Sequence, residues 1–381
     1  MVSGREVLLI SEASVYTDHK GDFIARGGGA ASFHNMALSL VKNGFKPTVF
    51  ALREFADQQE FETIEGVDYV RAVKSGRMSF RLIRYLYLAK KFAKNYEIVF
   101  LNQFLPHFLT LFLRKKFTIS VIHDVYLKSY TGFWIKQYGV LKGIFGGITE
   151  RMELFFDKHF AKKIVTVSPA SLDKIINIMG ENVREKIFLL PNPIDLSGYI
   201  SDAKKEDILL FVGRFVNYKN PKHLLYVLKE IQKKYKNFKA MFVVTRDFPK
   251  VMRDFEKYRK ELGILKSHVI LKNFCSPEDL RMYYAKAKIL VHPSFVEGQG
   301  IVVLEALASN TPVVAYNLPA YNGMLVEGEN SELADQGNMD QMVEACFKVL
   351  GDYDRYRSSC GNVLKNFSTE MHAERMRELI H

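Results

Sequence analysis

Apolar residues recur along this chain in two alternating patterns. Compact apolar runs at residues 6–10, 47–52, 98–102, 117–122 and 163–167 read as buried strands, and intervening stretches such as 32–42 and 80–92 carry apolar side chains at helical spacing. The same grammar returns at 208–212, 239–245, 269–271, 288–292 and 311–315. Strands that alternate with helices imply parallel sheets built from βαβ units, so the pattern predicts an α/β protein with two Rossmann-like, doubly wound domains. The join falls at Leu190-Pro-Asn-Pro-Ile-Asp195, whose prolines continue neither a helix nor a central strand. Ligands of open α/β sheets bind beyond the carboxyl ends of the strands, so two such domains are expected to face a cleft.

Composition narrows the picture only in part. A length of 381 residues suits two cores better than one, and a hydrophobic content of 48% is ordinary for a globular chain. Basic residues exceed acidic ones by 54 to 42, and the first 200 residues hold 27 basic against 19 acidic. That balance favours anionic partners without choosing among nucleoside diphosphates, phospholipid headgroups and nucleic acid. Cys275, Cys346 and Cys360 show no metal-ligand spacing and fit a reducing cytoplasm. The first apolar run stops at Ser11-Glu12 and reads as a strand rather than a signal peptide. Nothing approaches the roughly 18 uninterrupted apolar residues that a membrane span needs.

The strongest chemical signal is His292-Pro-Ser-Phe-Val-Glu297-Gly298-Gln299-Gly300-Ile301-Val-Val-Leu-Glu305. A short strand, a glycine loop and a helix from Ile301 would aim backbone N–H groups at a ligand, with Glu305 about two turns behind Glu297. The same string also suits a plain strand-to-helix turn with two solvated glutamates. Upstream, Gly213-Arg214-Phe-Val-Asn-Tyr-Lys219 places two cations five residues apart between a strand end and a helix start, where they can converge on a diphosphate. Arg26-Gly27-Gly28-Gly29 precedes an apolar helix, and His123-Asp124 ends a strand. The glycine run lacks the third glycine of a dinucleotide fingerprint and starts 17 residues after Ile10, which disfavours a nicotinamide cofactor.

Taken jointly, the glycine loop, the Arg–Lys pair and the glutamates separated by seven residues resemble the family 4 retaining glycosyltransferases, which have the GT-B fold. The resemblance spans nearly the whole chain. It implies an N-terminal acceptor-side domain at 1–195, completed by a C-terminal helix at 366–381, and a donor-binding domain at 196–365. It further implies that Glu297 and His123 contact the donor sugar and that Gly298, Gln299, Gly300 and Ile301 meet the sugar and diphosphate. Glu305 would meet the ribose, and Arg214 and Lys219 would stabilise the leaving group. Gly28 and Gly29 correspond to the family's N-terminal glycine loop, and Phe274 to a residue bordering the base. Asp124 is expected to orient His123 or an acceptor hydroxyl.

Departures from the family pattern leave donor preference open. Thr245-Arg246-Asp247 replaces a glycine-bearing turn, and Gln299 stands where relatives commonly have an aromatic residue. His292, before Pro293, reads as a structural histidine, and Asp352-Tyr-Asp354 as a solvated turn rather than a metal site.

Trp134, Tyr138, Leu141, Phe145 and Ile148 form one apolar stripe if helical, with Lys128, Lys136 and Lys142 nearby. This reads either as a helix packed on the first domain or as a surface for an anionic membrane. The expected activity is a metal-independent, retaining hexosyltransferase without a cofactor. It would use a UDP-, GDP- or ADP-sugar and a lipid-linked or cell-envelope glycan acceptor, in the cytoplasm or on the cytoplasmic face of the membrane. A nucleotide-sugar epimerase and a non-catalytic anion- or membrane-binding protein are the alternatives. Nucleic acid is not expected, because no compact basic motif interleaved with aromatics is present.

Overall fold

The computed structural model describes all residues except 1–4, 18–22, 25–27, 54–57, 73–77, 103–104, 126–134, 136–139, 200–201, 245–248, 274 and 381. The chain divides into two compact units, residues 1–193 with 369–381, and residues 194–368.

In the first unit the strands are β1 (Glu6–Ser11), the hairpin β2 (Tyr16–Thr17) and β3 (Phe23–Ile24), β4 (Lys46–Leu52), β5 (Phe61–Ile64) and β6 (Val67–Ala72), followed by β7 (Ile98–Asn102), β8 (Phe117–Ile122), β9 (Lys163–Thr166) and β10 (Ile187–Leu189). The main sheet has eight strands in the order β10-β9-β8-β7-β1-β4-β6-β5. Seven of them run parallel, and β5 returns antiparallel along β6. The β5–β6 turn, which the apolar pattern did not reveal, is Glu65-Gly66, with φ of 50° and 81°. Positive φ at both positions matches the twist of a tight hairpin. Helices α1 (Gly28–Lys42), α2 (Met78–Phe92), α3 (Val140–Phe160) and α4 (Pro169–Met179) cover the sheet. Alternate strand residues feed opposite cores: Val7 and Leu9 pack with Phe33, Met36 and Leu40 of α1, whereas Leu8 and Ile10 pack with Tyr85 and Ala89 of α2.

The second unit holds β11 (Ile208–Gly213), β12 (Lys239–Val244), β13 (Val269–Asn273), β14 (Ile289–His292), β15 (Val313–Tyr316) and β16 (Ser331–Ala334). All pair in parallel, in the order β13-β12-β11-β14-β15-β16. Its helices are α5 (Pro221–Gln232), α6 (Pro249–Glu261), α7 (Pro277–Lys286), α8 (Ile301–Ala308), α9 (Met339–Gly351) and α10 (Tyr353–Ser359). Leu209 and Phe211 point into one core with Leu224, Leu225 and Leu228 of α5, and Leu210 and Val212 into the other with Val303, Leu304 and Leu307 of α8. Side-chain alternation along one strand therefore places the helix after β11 and the helix after β14 on opposite faces. Among the described residues, no helix is long and apolar enough to cross a membrane.

The terminal helix α11 (Thr369–Ile380) belongs to the first unit and packs on α1. Met376 and Leu379 are buried with Met36 and Leu40. His372 is 3% exposed, and its Nδ1 lies 2.7 Å from Ser39 Oγ. Burial, reinforced by Arg375, lowers this imidazole from 6.5 to about 3. Between those values the unfolded chain takes up a proton that the folded chain refuses, so the histidine's contribution is intact above about pH 6.5 and is lost on acidification. Wild type should lose about 2 kcal/mol more stability between pH 7 and pH 5 than His372→Asn, at about 1.4 kcal/mol per pH unit below 6.5. Urea denaturation followed by circular dichroism at the two pH values measures this difference.

Candidate active site

In the second unit, the strand order reverses between β11 and β14, and the loops that follow these two strands carry the chemistry. Asn220 Nδ2 donates to Pro293 O at 2.9 Å, and Phe295 N donates to Tyr218 O at 2.8 Å, which ties the two loops together. Asn220 stands in the left-handed region at φ 47°, a conformation that Asn tolerates well, and Pro221 then starts α5. Gly300 caps α8 at φ 87°. A Cβ there would stand 2.8 Å from the Tyr321 ring, so both the backbone angle and the close approach call for glycine.

Three charged or polar side chains converge in this frame. Lys219 Nζ and His292 Nε2 both reach Oε1 of Glu297, the histidine at 2.7 Å. Their side chains are 13% (Lys219), 1% (His292) and 10% (Glu297) exposed. Burial alone would raise the Glu297 carboxyl, but the Lys219 charge and the His292 hydrogen bond outweigh it and hold the group well below the usual carboxylate range. Glu297 is therefore a fixed anion. Half-buried Arg214 donates to Tyr218 Oη, and the Arg214 and Lys219 cations lie 5.8 and 5.9 Å from the Tyr218 ring centre. Gly298, Gln299 and Ile301 complete the turn into α8, with Gln299 buried.

Glu305, on α8, has a different environment. Tyr284 donates to its Oε2 at 2.7 Å, and Tyr199 supplies a second hydrogen bond. Burial raises this carboxyl despite the two tyrosines and nearby Arg281. The two glutamates of the motif are thus shifted in opposite directions.

The first unit repeats the geometry where its own strand order reverses, between β1 and β7. Ser11 and Asn102 are register partners at the two strand ends, and Asn102 Nδ2 lies 3.3 Å from Ser11 Oγ. His123, just past β8, places Nε2 2.9 Å from Asn102 Oδ1. Burial, then the nearby His107 charge, lowers His123 to about 4, so it is neutral at pH 7. His107 itself is raised to about 9, because Asp157 at 2.8 Å and Glu153 overcome the opposing effect of burial. Asp124 pairs with Lys174 at 2.8 Å and accepts from Val125 N. Gly28 and Gly29 open α1, and Ser32, one turn further on, donates to Asn192 Oδ1.

Some expected residues fall outside this description. Phe274, Trp134, Tyr138 and the 245–247 turn lie outside the described residues, as does the side chain of Lys142, whose backbone is in α3. Phe145 and Ile148 of the apolar stripe are described, and they are 73% and 52% exposed. Sequence reasoning missed His292, Tyr199 and Tyr284 as partners of the two glutamates. Only His292 carried a signal, its position at a strand end five residues before Glu297.

Two family models together cover most of the chain: Glycosyltransferase Family 4 over residues 26–197 and Glycosyl transferases group 1 over residues 200–367. This chain belongs to the family 4 glycosyltransferases. An uncharacterized glycosyltransferase of Methanocaldococcus jannaschii is 24% identical over 86% of each chain. The O-antigen chain mannosyltransferase of Salmonella typhimurium is 28% identical, over 53% of this chain and 59% of that one. Among solved structures, Anabaena HepE in complex with UDP and glucose superposes with a TM-score of 0.79 at 15% identity, covering 99% of both chains. These likenesses confirm the GT-B fold of this glycosyltransferase and do not favour an epimerase or a non-catalytic binding protein.

Gly300→Ala should destabilise the glycosyltransferase by about 1–3 kcal/mol, through backbone strain and displacement of Tyr321. Gly323, at φ 82° with no atom within 4 Å of where a methyl group would stand, provides the comparison. Gly323→Ala should cost less than Gly300→Ala in urea denaturation, and the difference measures the Tyr321 contact.

Proposed function

We propose that this enzyme is a retaining, metal-independent hexosyltransferase that moves a sugar from a nucleoside diphosphate onto a hydroxyl of a lipid-linked or cell-envelope glycan. The observation that carries this reading is the convergence of Lys219, His292 and Glu297 beside Arg214 at the strand-order reversal of the second unit. Ligands of doubly wound sheets bind at such reversals. In the proposed mechanism Arg214 and Lys219 take the diphosphate and stabilise the charge that grows on it as the glycosidic bond breaks. Glu297 accepts from a sugar hydroxyl, Glu305 meets the ribose, and the amides from Gly298 to Ile301 border the sugar and diphosphate. Neutral His123 accepts from or donates to the sugar without adding charge. Attack comes from the face that the leaving group departs, and the departing phosphate takes the acceptor proton. Positioning and electrostatic stabilisation supply most of the rate.

The donor class is supported by the UDP and glucose bound to Anabaena HepE, and a glycan acceptor by the O-antigen chain named for the Salmonella relative. A peripheral membrane position is supported by α3. Glu150, Glu153 and Asp157 are buried on its inner side, while Val140, Ile144, Phe145, Ile148, Met152 and Phe155 are exposed. Although Leu154 still packs inward, this departs from the usual arrangement for a surface helix, and such an exposed apolar face is suited to the boundary of a lipid bilayer.

Arg214→Ala and Lys219→Ala should each lower turnover by about 10²–10³-fold with folding retained, the usual loss when one donor to a developing charge is removed. Product NMR should show the donor's anomeric configuration preserved, and EDTA should leave the rate unchanged. Near-normal rates in both variants would remove their assigned role, and an inverted product would exclude retention. Separately, Phe145→Glu should reduce sedimentation with anionic liposomes at low salt without lowering the melting temperature.

A further inference from the structure

We propose that His292 is a positioning residue for the donor sugar: it holds one oxygen of Glu297 so that the other is presented to a sugar hydroxyl, and it keeps that hold when Lys219 turns to the diphosphate. This inference rests on the donor-binding reading of the site given above.

His292 ends β14, in the middle of a parallel sheet, and its side chain is 1% exposed. The ring is fixed edge-on to Tyr321, with centroids 6.1 Å apart, and Tyr321 itself is wedged against Gly300. Nε2 lies 2.7 Å from Glu297 Oε1. An ionised carboxylate only accepts, so Nε2 carries the hydrogen, and in a neutral ring Nδ1 then carries none. Burial favours the same neutral tautomer by lowering the imidazole below its ordinary value. Both protein donors to Glu297 fall on Oε1, so among the described residues Oε2 is the oxygen left for a ligand.

The two donors differ in what else they can do. Lys219 is a flexible ammonium on the loop after β11, and the proposed mechanism requires it at a phosphate. Its departure would take away the charge that balances Glu297. His292 has no such second task. Its hydrogen bond keeps the carboxylate oriented, and the division of labour explains why two donors share a single oxygen.

Calorimetric titration of wild type, His292→Leu and His292→Gln tests this, with UDP-glucose, GDP-mannose and ADP-glucose each measured beside its nucleoside diphosphate. For the pair that wild type binds, His292→Leu should weaken the sugar nucleotide about 10-fold or more and leave the nucleoside diphosphate within about 2-fold. His292→Gln, which keeps a neutral N–H donor, should recover most of the loss. Glu297→Gln combined with His292→Leu should add little to either single change, because both act on one contact. Equal weakening of sugar nucleotide and nucleotide, unchanged binding in His292→Leu, or no recovery in His292→Gln would overturn the positioning role alone. A folded wild type that binds no member of the panel would overturn the donor reading, and this inference with it.

Discussion

The reversal of strand order between β11 and β14 is the constraint on which the second unit of this protein depends. Side-chain alternation along β11 sends Leu209 and Phe211 to one core and Leu210 and Val212 to the other. The helix after β11 must cover the first face and the helix after β14 the second. Their loops then meet at the carboxyl ends of adjacent strands, the place where doubly wound sheets bind their ligands. Arg214 and Lys219 come from the loop after β11, and His292 and Glu297 from the end of β14 and the loop that follows it. The hydrogen bonds from Asn220 to Pro293 and from Phe295 to Tyr218 keep the two loops in register. The first unit follows the same logic between β1 and β7, where Ser11, Asn102 and His123 meet.

Charge is placed here against the tendency of burial to exclude it. An ion pair taken out of water gains stability only when its geometry and remaining hydrogen bonds are good, and replacing it with apolar groups is often neutral or better. Retaining Lys219, Glu297 and His292 therefore makes most sense as preparation for a charged, hydroxyl-rich ligand. The opposite shifts of Glu297 and Glu305 sharpen the point. Glu297 is held as an anion by a cation and an imidazole, whereas the Glu305 carboxyl is raised by burial despite two tyrosine hydroxyls and nearby Arg281. Environments that separate two carboxyls of one motif are what a site with divided tasks requires.

Much of this was legible in the sequence because buried parallel strands are written as short apolar runs, and because Gly300 and the glutamate spacing mark a strand–loop–helix turn. The β5–β6 hairpin was not legible, since its alternation is short and its turn begins with Glu65, which lacks the permissive backbone of glycine. Tyr199 and Tyr284 reach Glu305 across long sequence distances that no local pattern encodes. The proline after His292 suggests a structural histidine, and its hydrogen bond in the folded protein shows that it meets Glu297. For α3, periodicity revealed a stripe but not its direction. The three buried acids Glu150, Glu153 and Asp157 take the inner face, where Asp157 meets His107 and Ser120, and Phe145 and Ile148 of the stripe are left outside. Which face of an amphipathic helix is buried is a tertiary fact.

Donor-dependent thermal stabilisation of wild type and Glu305→Ala protein tests most directly whether the Glu297–Glu305 turn binds a nucleotide sugar. A panel of UDP-, GDP- and ADP-sugars should raise the melting temperature of wild type for one nucleotide series, and Glu305→Ala should abolish that shift while remaining folded. Stabilisation that survives the substitution undiminished would contradict the account, because the donor would then lie elsewhere on the protein.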